Sequence, residues 1–160
     1  MITQLQGRLI EKHPTHVVID CQGVGYEVNI SLNTYGEIGN EENIRLYTHL
    51  QIREDAHTLY GFFQPVERSI FRLLISISGI GASIARTMLS SMTPVEIQQA
   101  IVQENLAAIK AVKGIGLKTA QRVLIELKDK IQTVAGMDEI PAFKSNTIKE
   151  ETLSALEVLG

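Results

Sequence analysis

An internal repeat in the second half of the chain constrains the fold most. Segment 79–89 (GIGASIARTML) recurs 35 residues later as segment 114–124 (GIGLKTAQRVL), and five of the eleven positions are identical. Each copy follows one helical pattern and begins another. The repeat therefore predicts two helix-hairpin-helix motifs, each with a Gly-Ile-Gly turn between two helices.

The paired glycines indicate what these turns can bind. Glycine allows positive φ and removes the side chain, so backbone N–H groups can approach an anion closely. The following helix points its unsatisfied N–H groups at the same place. A phosphate bound there supplies no base information, so binding without sequence preference is expected. The candidate DNA-binding residues are Gly79, Ile80, Gly81, Ser83, Arg86, Lys113, Gly114, Ile115, Gly116, Lys118, Thr119 and Arg122.

A single Gly-Ile-Gly could be an ordinary tight turn between helices, and charge helps to decide between the two interpretations. The formal net charge of −3 argues at first against a nucleic-acid partner. However, residues 105–133 carry six basic and two acidic side chains, whereas residues 1–63 carry four and eight. A basic region within an acidic chain, placed around the second Gly-Ile-Gly, favours DNA binding.

The first 63 residues have the alternating pattern of β-strands. Segments 7–11, 16–21, 26–30, 44–52 and 58–63 are short, apolar in alternate positions and separated by turn residues. Five or six short strands in this length fit a small closed barrel such as the OB-fold, with an open antiparallel sheet as the alternative. The predicted class is α+β, with an N-terminal OB-fold barrel over residues 1–63.

Helical periodicity begins at residue 64. Pro65 suits the first turn of a helix, Thr93 and Asn105 suit N-caps, and residues 117–131 form an amphipathic pattern. We therefore expect an all-α domain over residues 64–133. Residues 134–149 lack periodicity and are expected to form a flexible linker, and residues 150–160 resume a helical pattern that predicts the start of an incomplete C-terminal helical domain.

Enzyme and cofactor motifs are not evident in the sequence. Val28 stands where a dinucleotide-binding motif beginning at Gly23 needs its third glycine, and there is no Walker A loop, nucleophile elbow or metal-binding spacing. Cys21 is the one cysteine, which excludes a disulfide framework. We expect no catalytic residue, metal or cofactor. No apolar run reaches membrane-spanning length, so a cytoplasmic protein without a membrane partner is expected.

The order of barrel, tandem hairpins, linker and terminal helical segment resembles the RuvA family, the Holliday-junction-binding subunits of the RuvAB branch-migration complex. The most specific similarities are Gly7-Arg8-Leu9, segment 23–28 (GVGYEV), Arg53-Glu54-Asp55-Ala56 with segment 59–62 (LYGF), and the second hairpin through Asp129. The resemblance implies a non-catalytic subunit that binds four-way junction DNA as a homotetramer and holds it open for an ATP-driven motor.

The resemblance also assigns a role to Glu54 and Asp55. From sequence alone, two acids in a turn between strands form a solvated loop. In the RuvA family the matching acids form an acidic pin at the centre of the tetramer. The implied partners are junction DNA, further copies of the chain, a RuvB-type ATPase docked on the C-terminal domain, and a RuvC-type resolvase. One or two tetramers per junction remain open.

The chain departs from the family pattern at the hairpins. Ala82, Ser83 and Leu117 stand where family members often carry Lys or Arg, so the first hairpin is expected to depend on backbone amides and Arg86. Two alternatives stay open. A helix-hairpin-helix DNA glycosylase would use Lys118 but lacks the expected Asp at position 136, and a single-strand-binding OB protein would need exposed aromatic side chains.

Overall fold

A computed structural model describes residues 1–134. Apart from Val134, the expected linker over residues 134–149 and the expected helical segment 150–160 lie outside the described residues. No helix in residues 1–134 is both long and apolar enough to cross a bilayer.

Five strands form a closed barrel in the N-terminal part of the chain: β1 (Gln4–Lys12), β2 (His16–Cys21), β3 (Val24–Ile30), β4 (Asn43–Ile52) and β5 (His57–Phe62). The strand order is β1-β2-β3-β5-β4, and β1 pairs with β4 to close the sheet. β3 and β5 pair in parallel, and the other neighbours are antiparallel. This is the predicted OB-like barrel, and the open sheet is excluded.

Alternation along the strands fills the barrel with aliphatic side chains. Val17 and Ile19 of β2, Val28 of β3 and Leu46 of β4 are all fully buried. Their neighbours in sequence face outward, as the period of two requires. The hairpin between β2 and β3 has only two turn residues, Gln22 and Gly23, and both have positive φ.

A short helix that the strand pattern did not predict, α1 (Leu32–Glu37), lies between β3 and β4 in the chain, and its Asn33 donates to the Leu89 carbonyl at 2.6 Å. Ser31 caps it by accepting a hydrogen bond from the Thr34 N–H. Six residues are too few to give a clear helical period in sequence. The capping serine was the local signal for this helix.

The helical part contains α2 (Pro65–Ile75), α3 (Ala82–Ser91), α4 (Pro94–Val102), α5 (Leu106–Lys110), α6 (Leu117–Leu127) and a 3-10 turn (Ile131–Thr133). Pro65 begins α2, Thr93 forms a capping box with Glu96, and Asn105 caps α5, as predicted. The predicted helix over 117–131 was too long, because α6 ends at Leu127 and the chain tightens into the 3-10 turn that buries Ile131.

The barrel and the helices are joined by direct contacts. Phe71 of α2 is fully buried and packs against the rings of Tyr60 and Phe62 in β5, with centroid distances of 5.1 and 5.0 Å. Arg68 Nη1 donates to the Thr3 carbonyl at 2.6 Å. Aromatic packing of this kind stabilises beyond the area buried, so α2 is held firmly on β5.

Candidate nucleic-acid interface

The two Gly-Ile-Gly turns have the same backbone conformation. The first glycine of each is in the left-handed region, with φ of 99° at Gly79 and 95° at Gly114. The second glycine of each is extended, with φ of −88° at both Gly81 and Gly116, and serves as the N-cap of the next helix. The sequence repeat is therefore also a structural repeat.

The isoleucine at the centre of each turn anchors it in the core. Ile80 and Ile115 are buried. Their backbone N–H groups donate to the carbonyls of Ile77 and Val112, at 3.0 and 3.2 Å, which closes each turn. The buried isoleucine holds each turn against the core, and the outer side of each turn remains accessible.

Each turn presents the N-terminus of a helix that has no side-chain cap. Within residues 1–134, α4 and α5 are capped by Thr93 and Asn105, and α2 lacks a side-chain cap hydrogen bond, whereas α3 and α6 have glycine N-caps that cannot supply one. The first N–H groups of a helix have no intrahelical partner and carry its positive dipole end. These two ends are therefore suited to an external anion.

Open space lies in front of both helix ends. A Cβ atom placed on Gly81 or Gly116 would have no other heavy atom within 4 Å. This space leaves room for an external anion beside each helix N-terminus. A side chain at either position would project into the same space.

The two hairpins pack against each other reciprocally. A Cβ atom on Gly79 would lie 3.1 Å from Thr119 Oγ1, in the first turn of α6. A Cβ atom on Gly114 would lie 3.6 Å from Ile84 Cγ1, in the first turn of α3. Thr119 and Ile84 occupy matching positions of the repeat. Each turn is therefore backed by the helix that follows the other turn, and the two helix N-termini are adjacent.

The two predicted arginines bind protein carbonyls. Arg122 Nη1 donates to the Ser78 carbonyl at 2.9 Å, next to the first turn, and its Nε lies 3.7 Å from Glu126. Arg86 Nη1 donates to the Thr15 carbonyl and to Asn29 Oδ1 in the barrel, both at 3.2 Å. Arg122 thus joins the two hairpins, and Arg86 joins the first hairpin to the barrel.

The remaining predicted polar residues lie on the surface around the turns. Lys113 precedes the second turn, and Ser83 and Lys118 are the second residues of α3 and α6. All three are exposed, and neither lysine forms an ion pair with any residue in 1–134. The two ammonium groups are available to an external anion.

Glu54 and Asp55 form the tip of the hairpin between β4 and β5. The Arg53 N–H donates to the Ala56 carbonyl at 2.8 Å, so the two acids are the only residues in the turn. Both are exposed, and neither is within ion-pairing distance of a basic group in the described part of the chain. The tip therefore carries two unneutralised carboxylates.

A buried carboxyl group lies where the barrel meets the helices. Glu67 of α2 is 1% exposed, and it accepts hydrogen bonds from the hydroxyls of Ser31 and Thr34 in the barrel part of the chain, the second at 2.6 Å. Burial raises the pKa of Glu67 to about 7, and the two hydrogen bonds oppose the rise. This contact was not predictable from the sequence, in which Glu67 has the pattern of a helix-surface residue.

Comparison with known proteins adds independent evidence. The family described as RuvA N terminal domain matches residues 1–61, and the SAM-like helix-hairpin-helix tandem matches residues 71–129. A protein of Christiangramia forsetii named Holliday junction branch migration complex subunit RuvA is 59% identical over the whole of this chain and 83% of its own length. The chain belongs to the RuvA family.

Other RuvA proteins match over the same extent. Those of Flavobacterium psychrophilum and Bacteroides thetaiotaomicron are 56% and 49% identical over the whole of this chain, and it covers 83% and 84% of their lengths. Both are also named Holliday junction branch migration complex subunit RuvA. The two matched domains correspond to the barrel and to the tandem hairpins of the structure.

Proposed function

We propose that this chain binds four-way junction DNA as a non-catalytic subunit of a branch-migration complex in recombination and repair. The observation that carries the proposal is the pair of uncapped helix N-termini, at Gly81 and Gly116, held side by side by reciprocal packing. Two adjacent anion sites can bind successive phosphates of one DNA strand. Relatives named for the Holliday junction support the choice of substrate.

The exposed ammonium groups of Lys113 and Lys118 add electrostatic attraction at the second site. The first site has only Ser83 at the position that matches Lys118. We propose that the first hairpin binds through its amides, and that the second contributes most of the salt-dependent affinity. Phosphate contacts by lysine release counterions, so the affinity that the second hairpin contributes falls as the salt concentration rises.

The acidic turn at Glu54 and Asp55 is proposed as a pin that repels phosphates at the junction centre. The proposal requires a homotetramer, in which four copies bring the acidic tips together on one axis. A junction has four equivalent arms, and a closed fourfold ring matches that symmetry. Unneutralised carboxylates at the centre would keep strands apart at the crossover.

Arg86 is proposed as a positioning residue. Its guanidinium connects α3, which follows the first turn, to Thr15 and Asn29 of the barrel. The barrel also carries the acidic turn. Arg86 therefore helps to fix where the anion sites lie relative to the pin, and its loss should affect junction preference more than general DNA affinity.

The other partners belong to the same proposal. ATP hydrolysis would be supplied by a RuvB-type motor, which the resemblance places at the C-terminal segment that includes residues 150–160, and a RuvC-type resolvase is a further candidate. A chromosomal substrate implies a cytoplasmic location in a bacterium.

The alternative functions have less support. A single-strand-binding OB protein needs exposed aromatic side chains for base stacking. Among the six aromatic residues of the barrel part, Phe62 is buried and the others are partly buried (Tyr26, Tyr35, Tyr47, Tyr60 and Phe63). A glycosylase would need an Asp at about position 136, where Gly136 stands, and Asp138, two residues further on, lies outside the described residues.

A competition gel-shift at fixed salt tests the proposal. Labelled four-way DNA is challenged with unlabelled four-way, duplex and single-stranded DNA of equal length. Four-way DNA should compete best by a wide margin. Equal competition by duplex, or stronger competition by single strands, would overturn junction binding. Light scattering on the free chain and on its junction complex tests the tetramer, and a monomer in both would contradict it.

A further inference from the structure

The hairpin between β1 and β2 brings three metal-ligating side chains together on the outer face of the barrel. Glu11 and His13 are separated by one residue on one side of the turn, and His16 lies on the other. One ligand atom from each, a carboxylate oxygen or a ring nitrogen, lies within 4.8 Å of the other two. Neither the hairpins nor the acidic turn uses these residues.

The backbone enforces this arrangement. The His13 N–H donates to the His16 carbonyl at 2.9 Å, so the two histidines face each other directly across the turn formed by Pro14 and Thr15. Directly opposite residues point to the same side of a sheet, with Cβ atoms about 5 Å apart. Glu11 lies in β1, two residues before His13, which directly follows the last residue of that strand, and this spacing places it on that side as well.

The side-chain geometry suits a transition metal. His13 Nε2 lies 3.4 Å from Glu11 Oε1. Two ligands at about 2.0–2.2 Å from a tetrahedral Zn²⁺ are separated by about 3.4 Å. The imidazole rings of His13 and His16 are stacked, with centroids 4.6 Å apart. A modest rotation of the exposed rings is enough to direct one nitrogen of each toward a common ion.

A second interaction orients His16. Its Nδ1 lies 3.0 Å from Thr15 Oγ1. In the tautomer in which Nδ1–H donates to Thr15 Oγ1, the other nitrogen, Nε2, is free to be the ligand, which is how metal-binding histidines are commonly supported. The nearby Lys12 ammonium is held elsewhere, because it donates to the Ile38 carbonyl at 2.7 Å.

The turn itself is held in place from two directions. The Thr15 carbonyl accepts hydrogen bonds from the Ile30 N–H at 3.0 Å and from Arg86 Nη1 at 3.2 Å. The loop that carries the cluster is therefore tied both to the neighbouring strand and to α3. A loop fixed in this way loses little freedom when it binds an ion.

We propose that Glu11, His13 and His16 form a binding site for a divalent transition metal of the Zn²⁺ class. Two imidazoles and one carboxylate supply three protein ligands, and water completes the coordination. Imidazole ligands select Zn²⁺ and its neighbours over Mg²⁺ and Ca²⁺, which prefer sites made of oxygen alone. Binding joins the two sides of the turn and so stabilises the β1–β2 hairpin. This proposal does not depend on junction binding.

Calorimetric titration of the full chain with Zn²⁺ tests the site. The wild type should bind one ion per chain saturably, and His13→Gln and His16→Gln should each weaken binding by roughly tenfold or more. His57→Gln is the matched control, since His57 is exposed but lies at the start of β5, away from the cluster. Wild-type affinity in His57→Gln is expected.

Two further measurements separate coordination from loss of folding. Co²⁺ should give a d–d absorption spectrum with the wild type and His57→Gln but not with the His13→Gln, His16→Gln double variant. Saturating Zn²⁺ should raise the Tm of the wild type and leave that of the double variant unchanged. Absence of saturable binding by the wild type, or equal losses in His13→Gln and His57→Gln, would overturn the site.

Discussion

Thr119, in the first turn of α6, lies against Gly79, in the turn that precedes α3, so closely that a methyl group on Gly79 would be 3.1 Å from its hydroxyl oxygen. The matching contact, between Ile84 and Gly114, is looser at 3.6 Å. The two proposed anion sites thus share the packing contacts between the two hairpins. Substitutions at the first and second glycines of a turn should therefore have different effects.

Gly79→Ala should destabilise the fold. Its φ of 99° is unfavourable for a residue with a Cβ atom, by about 1–2 kcal/mol, and the added methyl group must displace Thr119. Urea denaturation should show a free energy of unfolding lower by at least that amount. An unchanged denaturation midpoint would contradict the left-handed turn.

Gly116→Leu should leave stability nearly unchanged but abolish junction binding. Gly116 has an ordinary extended backbone, and its Cβ would point into open space where the phosphate is expected. Gly81→Leu should act in the same way at the first hairpin. Gel-shift and urea denaturation on the same preparations separate the two effects. Normal junction affinity in the folded Gly116→Leu variant would refute the proposed phosphate site.

Lys118→Gln should weaken DNA binding and reduce its salt dependence. Each lost phosphate contact lowers the slope of log affinity against log salt by about one unit. Lys130→Gln is the matched control, because Lys130 lies beyond the far end of α6, a helix about 16 Å long. The two variants carry the same charge, so equal slopes would show that only net charge matters.

Arg86→Gln should lower the preference for four-way over duplex DNA, with a smaller change in duplex affinity. The substitution removes the guanidinium that holds α3 on Thr15 and Asn29. A competition gel-shift with both DNA forms gives the ratio of four-way to duplex affinity directly. If both affinities fall in proportion, Arg86 is a direct phosphate ligand and the positioning role is wrong.

Glu54→Gln combined with Asp55→Asn should increase duplex binding and lower junction preference. The substitutions remove the repulsive charges and keep the size of the turn. The control is Glu41→Gln with Glu42→Gln, an equally exposed acidic pair just before the opposite end of β4, about 30 Å away. An equal effect of both double variants would exclude a specific pin.

Glu67 should make stability depend on pH. Its folded pKa of about 7 is above the ordinary value of 4.5, so the folded state binds the proton more tightly. The resulting stabilisation, on the order of 3 kcal/mol, is fully present below about pH 4.5 and is lost as pH rises through 7. The pH profile of unfolding, wild type minus Glu67→Gln, should show this fall. A flat difference would contradict burial of the carboxyl.

The sequence was sufficient to predict the elements that are marked by local residue patterns. The repeat at Gly79 and Gly114 predicted both hairpins, and Thr93 and Asn105 marked helix starts that the structure confirms. Alternation in the first 63 residues predicted a barrel. The order of its strands was not predictable from alternation alone, since the pairing of β3 with β5 is set by tertiary closure.

Contacts between distant segments could not be predicted from the sequence. Arg86 and Arg122 stay predicted phosphate ligands, and the sequence did not show that each also donates a hydrogen bond to a protein carbonyl. The cluster of Glu11, His13 and His16 was missed because it has no standard ligand spacing and arises from strand register. For both arginines the partner lies in a loop that is distant in sequence, at Thr15 and at Ser78.

The reciprocal packing of the hairpins also bears on which residues of the connecting chain can vary. Because a Cβ atom on Gly79 would meet Thr119 and one on Gly114 would meet Ile84, the separation of the two helix N-termini depends on side-chain packing at these positions. Surface substitutions in the chain between Leu89 and Val112 should therefore leave the spacing of the two proposed phosphate sites unchanged. A change of one methyl group at Ile84 or Thr119 would alter that spacing directly.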